Sequence, residues 1–147
     1  VSTTELRGRA LAEATLEAIR REPHRFDPTA WRYDATMCFG AWAADLAGGR
    51  WLATPDDHGV LCLPDGRRAM SFESSLLLAE PAIDPPVWIT HWEGHPVVHV
   101  QRRAALLLHL NPAVCHMQGG TLLFGDRNTP DTLAGLIEAA YDGGSDA

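Results

Sequence analysis

Three histidines and a glutamate fall within nine residues, His91-Trp92-Glu93-Gly94-His95-Pro96-Val97-Val98-His99. Imidazole nitrogens and carboxylate oxygens are the donors that zinc takes. His91, Glu93, His95 and His99 are therefore the candidate metal ligands, with Glu93 as ligand or base. A zinc-protease helix needs H-E-x-x-H, with glutamate directly after the first histidine. Here Glu93 comes two positions after His91, and Gly94 and Pro96 interrupt any helix. A site for zinc or another divalent metal would have to be assembled by a loop. The competing expectation for this segment is an interface loop. Tryptophan flanked by polar groups is the usual material of binding hot spots, which makes Trp88 and Trp92 the candidate partner-binding residues.

Other reactive groups are sparse. Cys38 can fall in the first turn of a helix, where the dipole favours a thiolate. Its small and aromatic neighbours predict burial instead, and buried cysteine is an inert hydrophobe. Cys115-His116 are adjacent, and neighbouring positions point apart. Asp56-Asp57-His58, between Pro55 and Gly59, reads as a turn in which aspartate caps its own backbone. No G-x-G-x-x-G, G-x-x-x-x-G-K-[ST] or G-x-S-x-G motif occurs, so nucleotide-binding and serine-hydrolase readings have no support. All twelve basic residues are arginine. That removes every mechanism needing a lysine amine, including a Schiff base.

The elements expected to position these residues are mostly helical. Leu11, Ala12, Thr15, Leu16 and Ile19 recur at helical spacing behind Ser2-Thr-Thr-Glu5, a capping-box pattern, and predict a first helix over 1–22 ended by Glu22-Pro23. A central helix is predicted over 34–49. Its Met37-Cys-Phe-Gly-Ala-Trp-Ala-Ala44 core mixes small residues, which let a neighbour approach, with aromatics that fill the flanks. Residues 60–72 predict a hairpin around Pro64-Asp-Gly66. Pro81, Pro85, Pro86 and Pro96 predict an irregular segment over 81–99. Helices are expected again within 100–142, the last opened by Thr129-Pro130-Asp131. The expected fold is mainly α: a compact single domain, residues 1–147, of four to five helices with one small β-hairpin.

Composition narrows the setting. The 147 residues carry 46% hydrophobic and 21% charged residues, ordinary for a globular chain able to bury its own core. The formal charge of −7 and the isolation of the pairs Arg20-Arg21, Arg67-Arg68 and Arg102-Arg103 predict no direct nucleic-acid binding. Three widely spaced cysteines and no leader-like segment predict a reducing cytoplasm. No apolar run approaches the ~20 residues of a membrane span.

Thr36-Met-Cys-Phe-Gly-Ala-Trp-Ala43 resembles the C-G-T-x-x-C-x-A-G-W-A stretch of small uncharacterised proteins from GC-rich Gram-positive bacteria and their phages. Those proteins continue to a helix ending in L-G-L and an L-F-x-G-x-N-T segment. Ala104-Ala-Leu-Leu-Leu-His-Leu110 and Leu123-Phe-Gly-Asp-Arg-Asn-Thr129 stand in those places here. The resemblance covers about half of the chain and implies a mostly helical fold. Tyr33 stands where the first cysteine of the pattern would be, and Gly40-Ala41 reverses the usual order, so the resemblance brings no cysteine-pair centre. It implies no activity.

The functional expectation is a non-enzymatic cytoplasmic protein that binds a protein partner or itself, without a membrane. The rival expectation is a metal-binding protein or metal-dependent enzyme built on His91, His95 and His99. A third, an acidic mimic of nucleic acid, rests on charge alone.

Overall fold

The computed structural model describes residues 2–111 and 123–141. Among them the expectation of a mainly α fold with one hairpin is overturned. Five helices are joined by seven short strands in three small sheets, an α+β arrangement.

Helix α1 (Gly8–Arg21) begins later than its sequence pattern, because Thr3–Glu5 form a separate 3-10 turn capped by Ser2. Its buried face is Leu11, Ala12, Thr15, Leu16 and Ile19. The next segment departs further from expectation. Strands β1 (Arg32–Tyr33) and β2 (Thr36–Met37) pair around a turn in which Asp34 takes a φ of 46°. The left-handed region is open to aspartate at modest cost. Helix α2 therefore starts only at Phe39 and ends at Leu46. Met37, Cys38, Phe39, Ala41, Trp42, Ala43 and Ala44 are all at most 6% exposed. A Cβ on Gly40 would stand 3.2 Å from both Trp31 and Phe124, so this helix wall must be flat.

Strands β3 (Thr54–Pro55) and β4 (Leu61–Cys62) pair antiparallel. Between β4 and residue 69 only a rudimentary hairpin forms, with Leu63 N–H on the Arg67 carbonyl and Ala69 N–H on that of Leu61. Residues Ser71–Ser74 coil into one helical turn, α3, instead of a strand.

The segment expected to be irregular holds most of the largest sheet. Strands β5 (Leu76–Leu78), β6 (Thr90–Trp92) and β7 (His95–His99) run in the order β5-β7-β6. Glu93 and Gly94, with φ of 47° and 84°, make the two-residue turn between β6 and β7. Two positive φ values are the type I′ geometry that matches strand twist. Pro96 lies in the central strand, where a missing N–H is usually excluded. It is tolerated because it falls beyond β5, where its carbonyl accepts from Ala79 N–H at 2.9 Å.

Alternation divides this sheet between two cores. Leu77 and Val98 face the main core with α1, α2, helix α4 (Val100–Leu107) and helix α5 (Pro130–Tyr141). Leu76 and Val97 face a smaller core with Leu52, Ala53, Leu61 and Leu63. Helix α5 starts on reciprocal bonds between Thr129 and Thr132. Arg103, 1% exposed, is matched by Asp84, which takes its Nε at 2.7 Å. No helix among the described residues is long and apolar enough to cross a membrane.

Candidate functional site

The β6–β7 hairpin decides how its histidines can act. Opposite residues in an antiparallel pair share a face, and successive residues alternate. Trp92 is paired with His95 and His91 with Pro96. His95 and His99 thus lie on the face of the smaller core, and His91 on the other. His95 and His99 are four residues apart in one strand, roughly 13 Å at ~3.3 Å per residue. His99 is further committed. Its Nδ1 accepts the N–H of Gln101 at 3.0 Å and caps α4. Burial, with Arg102 nearby, pushes its pKa down to about 4, so the ring is neutral. Glu93 pairs with Arg67. Among the described residues no three His, Cys, Asp or Glu side chains are grouped to hold a metal ion.

The tryptophans are not free surface anchors either. Trp88 is half-buried on the main core, with the Arg102 guanidinium 5.7 Å from its ring centroid. Trp92 is half-buried on the smaller core, and its Nε1 donates to Glu73 at 2.8 Å.

That glutamate organises a surface which sequence reasoning missed. Glu73 is 2% exposed, and its carboxylate also accepts from Met70 N–H at 2.9 Å and from both terminal nitrogens of Arg67, at 3.0 and 3.3 Å. Arg67 first, then these other donors, hold its pKa down at about 2 against the cost of burial. The α3 turn is therefore clamped from beneath by a charged, hydrogen-bonded group. On its outer side stand Met70, 68% exposed, and Phe72, 53% exposed.

Phe72 meets Trp92 edge-on at 5.3 Å between ring centroids and lies 6.4 Å from the His99 ring. His99 in turn meets Trp31 at 5.4 Å, and Trp31 meets Phe124 at 5.6 Å. A line of rings thus runs from the core to an exposed edge. It borders a groove of about 290 Å³ whose lining includes Thr29, Trp31, Ser71, Phe72, Ser75 and His99. Tyr33, 59% exposed, is carried by β1, which packs beside α3. Met70-Ser-Phe-Glu73 carries a signal in its spacing, since a glutamate three residues on can reach back to the N–H before a helical turn.

The remaining candidates are structural. Cys38 stands at the start of α2, where the N–H groups of Ala41 and Gly40 favour its thiolate, but burial outweighs them and pushes the thiol up to about 12. Asp56 Oδ1 accepts from the N–H groups of His58 and Val60 at 2.8 and 2.9 Å, which makes the turn and lowers its pKa. Cys115 and His116 lie outside the described residues. Comparison with the protein families, the curated proteins and the solved structures found no match to this chain.

Proposed function

We propose that this chain is a non-enzymatic cytoplasmic protein that binds a protein partner through the α3 turn, with Met70 and Phe72 as anchors and Trp92 and Tyr33 at its margin. One observation carries the reading: two large apolar side chains are held in water by a turn locked onto a buried carboxylate. Phe72 keeps its edge contact with Trp92, yet about half of it and most of Met70 stay in water. An ordered apolar anchor has little conformational entropy left to lose on association, so its burial goes largely into affinity. Thr29, Ser71 and Ser75, which line the adjoining groove with Phe72, supply polar groups suited to a rim.

The reading moves the anchors from the tryptophans to α3. Replacing Trp92 would remove a donor from Glu73 and loosen the fold, so its loss cannot test binding alone. The test is Met70→Ser with Phe72→Ser, assayed by capture of partners from the source cell's extract and by sedimentation for self-association. The double variant should stay folded, with a thermal midpoint lowered only by the lost Phe72–Trp92 contact, and lose the captured protein or the dimer. A partner still held by the variant at the wild-type level would refute the assignment.

A further inference from the structure

Two arginines are buried among the described residues, Arg103 at 1% and Arg32 at 9% exposed. The fold treats them differently. Arg103 uses the edge formed by Nε and Nη2 to grip the two oxygens of Asp84. Arg32 sends Nη1 to the carbonyl of Ala53 at 2.7 Å and lays its guanidinium 4.2 Å from the centroid of the Trp51 ring. Its Nε–Nη2 edge has no hydrogen-bond partner among the described residues. Asp45 acts on it only through space, and the Asp45 Oδ1 is already taken by Trp51 Nε1 at 2.8 Å. Burial lowers the Arg32 pKa to about 10, which leaves it charged at neutral pH.

The open edge is not sealed in the interior. Among the described residues, the buried side-chain polar atom without a partner is Asp126 Oδ1, so the unbonded Arg32 nitrogens retain access to solvent. Arg32 lines a cavity of about 220 Å³ together with Arg25, Asp34, Met37, Asp45, Trp51 and Leu61. Trp51 and Asp45, the guanidinium's own neighbours, are part of that wall.

We infer that this cavity is a binding site for a small carboxylic acid, whose carboxylate docks side-on against Nε and Nη2 of Arg32. A buried cation is expensive to leave without a counter-charge, and a planar guanidinium edge matches a planar carboxylate in two parallel bonds. Arg103 and Asp84 display that pairing within the same molecule. The fixed Ala53 and Trp51 contacts orient the edge before any ligand arrives. Asp34 and Asp45 oppose a second negative charge in the same space, so a monoanion is preferred to a phosphate dianion. The cavity, about 220 Å³, suits a small acid with a short polar substituent facing Asp34 or Asp45. Arg32 also borders the groove beside Phe72, but neither Met70 nor Phe72 lines this cavity, so the carboxylate site does not require a partner at that surface.

The test uses the whole chain labelled with ¹⁵N at the arginine side chains. Sodium acetate, sodium glycolate and inorganic phosphate are titrated at constant ionic strength while each Nε–H resonance is followed. The Arg32 resonance, identified by its absence in Arg32→Lys, should shift and saturate with both carboxylates. The exposed Arg68 should not. Phosphate should bind more weakly than acetate. Arg32→Lys keeps the charge and loses the fork, and should weaken acetate roughly tenfold or more, as read from the remaining Arg25 resonance. Equal, unsaturating shifts at all arginines, or tighter binding of phosphate than of acetate, would overturn the assignment. If the variant folds poorly, the wild-type titration still decides without assignment: saturating shifts confined to one or two Nε–H resonances support the site, and uniform unsaturating shifts overturn it.

Discussion

Changing Glu73 to Gln should destabilise the chain by an amount that vanishes in acid. Glu73 receives Arg67, Met70 N–H and the Trp92 indole, and its pKa falls from 4.5 to about 2. Taken at face value, that depression corresponds to roughly 3 kcal/mol. The carboxylate lies just under the surface and the Arg67 side chain is 45% exposed, so solvent screening reduces the net figure to about 1–2 kcal/mol. The sign follows from the depressed folded-state value. The contribution is complete above the unfolded-state pKa of 4.5 and disappears as pH falls through about 2. Urea unfolding of wild type and Glu73→Gln, measured in parallel from neutral pH down to about pH 2, isolates this group because the other carboxylates cancel in the difference. The gap should be about 1–2 kcal/mol near neutrality and should narrow below about pH 4.5. A gap that stays constant over the whole range would show that charge at Glu73 does not hold the turn.

Two further outcomes follow from the packing. Asp84→Ala strands the Arg103 guanidinium in the interior and should cost about 3–5 kcal/mol; a loss below about 1 kcal/mol in urea unfolding would mean that water replaces the carboxylate. Gly40→Ala drives a Cβ to 3.2 Å from Trp31 and Phe124 and should cost about 1–3 kcal/mol by overpacking, read as a lowered thermal midpoint.

Helical periodicity was the legible part of this fold. The face of α1, the small-residue wall of α2 and the Thr129 cap each rest on contacts within a few residues, which local spacing records. The sheets were not legible for the opposite reason. Their strands are two to five residues long, too short for alternation to outweigh proline and glycine nearby. Pro96 reads as a breaker, yet it sits in β7 opposite His91 and beyond the end of β5, and Glu93 gives no warning that it takes a left-handed φ. The histidine cluster shows the consequence. Three imidazoles close together in sequence are spread over two faces once the segment is a hairpin.

What the sequence withheld at the site is long-range pairing, and its currency is arginine. A chain without lysine has only planar, directional cations, and the fold gives them fixed stations. Arg67 locks Glu73, across which Trp92 is tied to α3 from 19 residues away. Arg103 closes on Asp84 across another 19 residues. Both stations satisfy the fork within the protein, so both serve architecture. Arg32 is held as firmly, by a carbonyl and an indole face, but by groups that leave its charge unmatched. A buried fork oriented by neutral partners and open to a cavity is arranged to receive the carboxylate that the other two arginines already have.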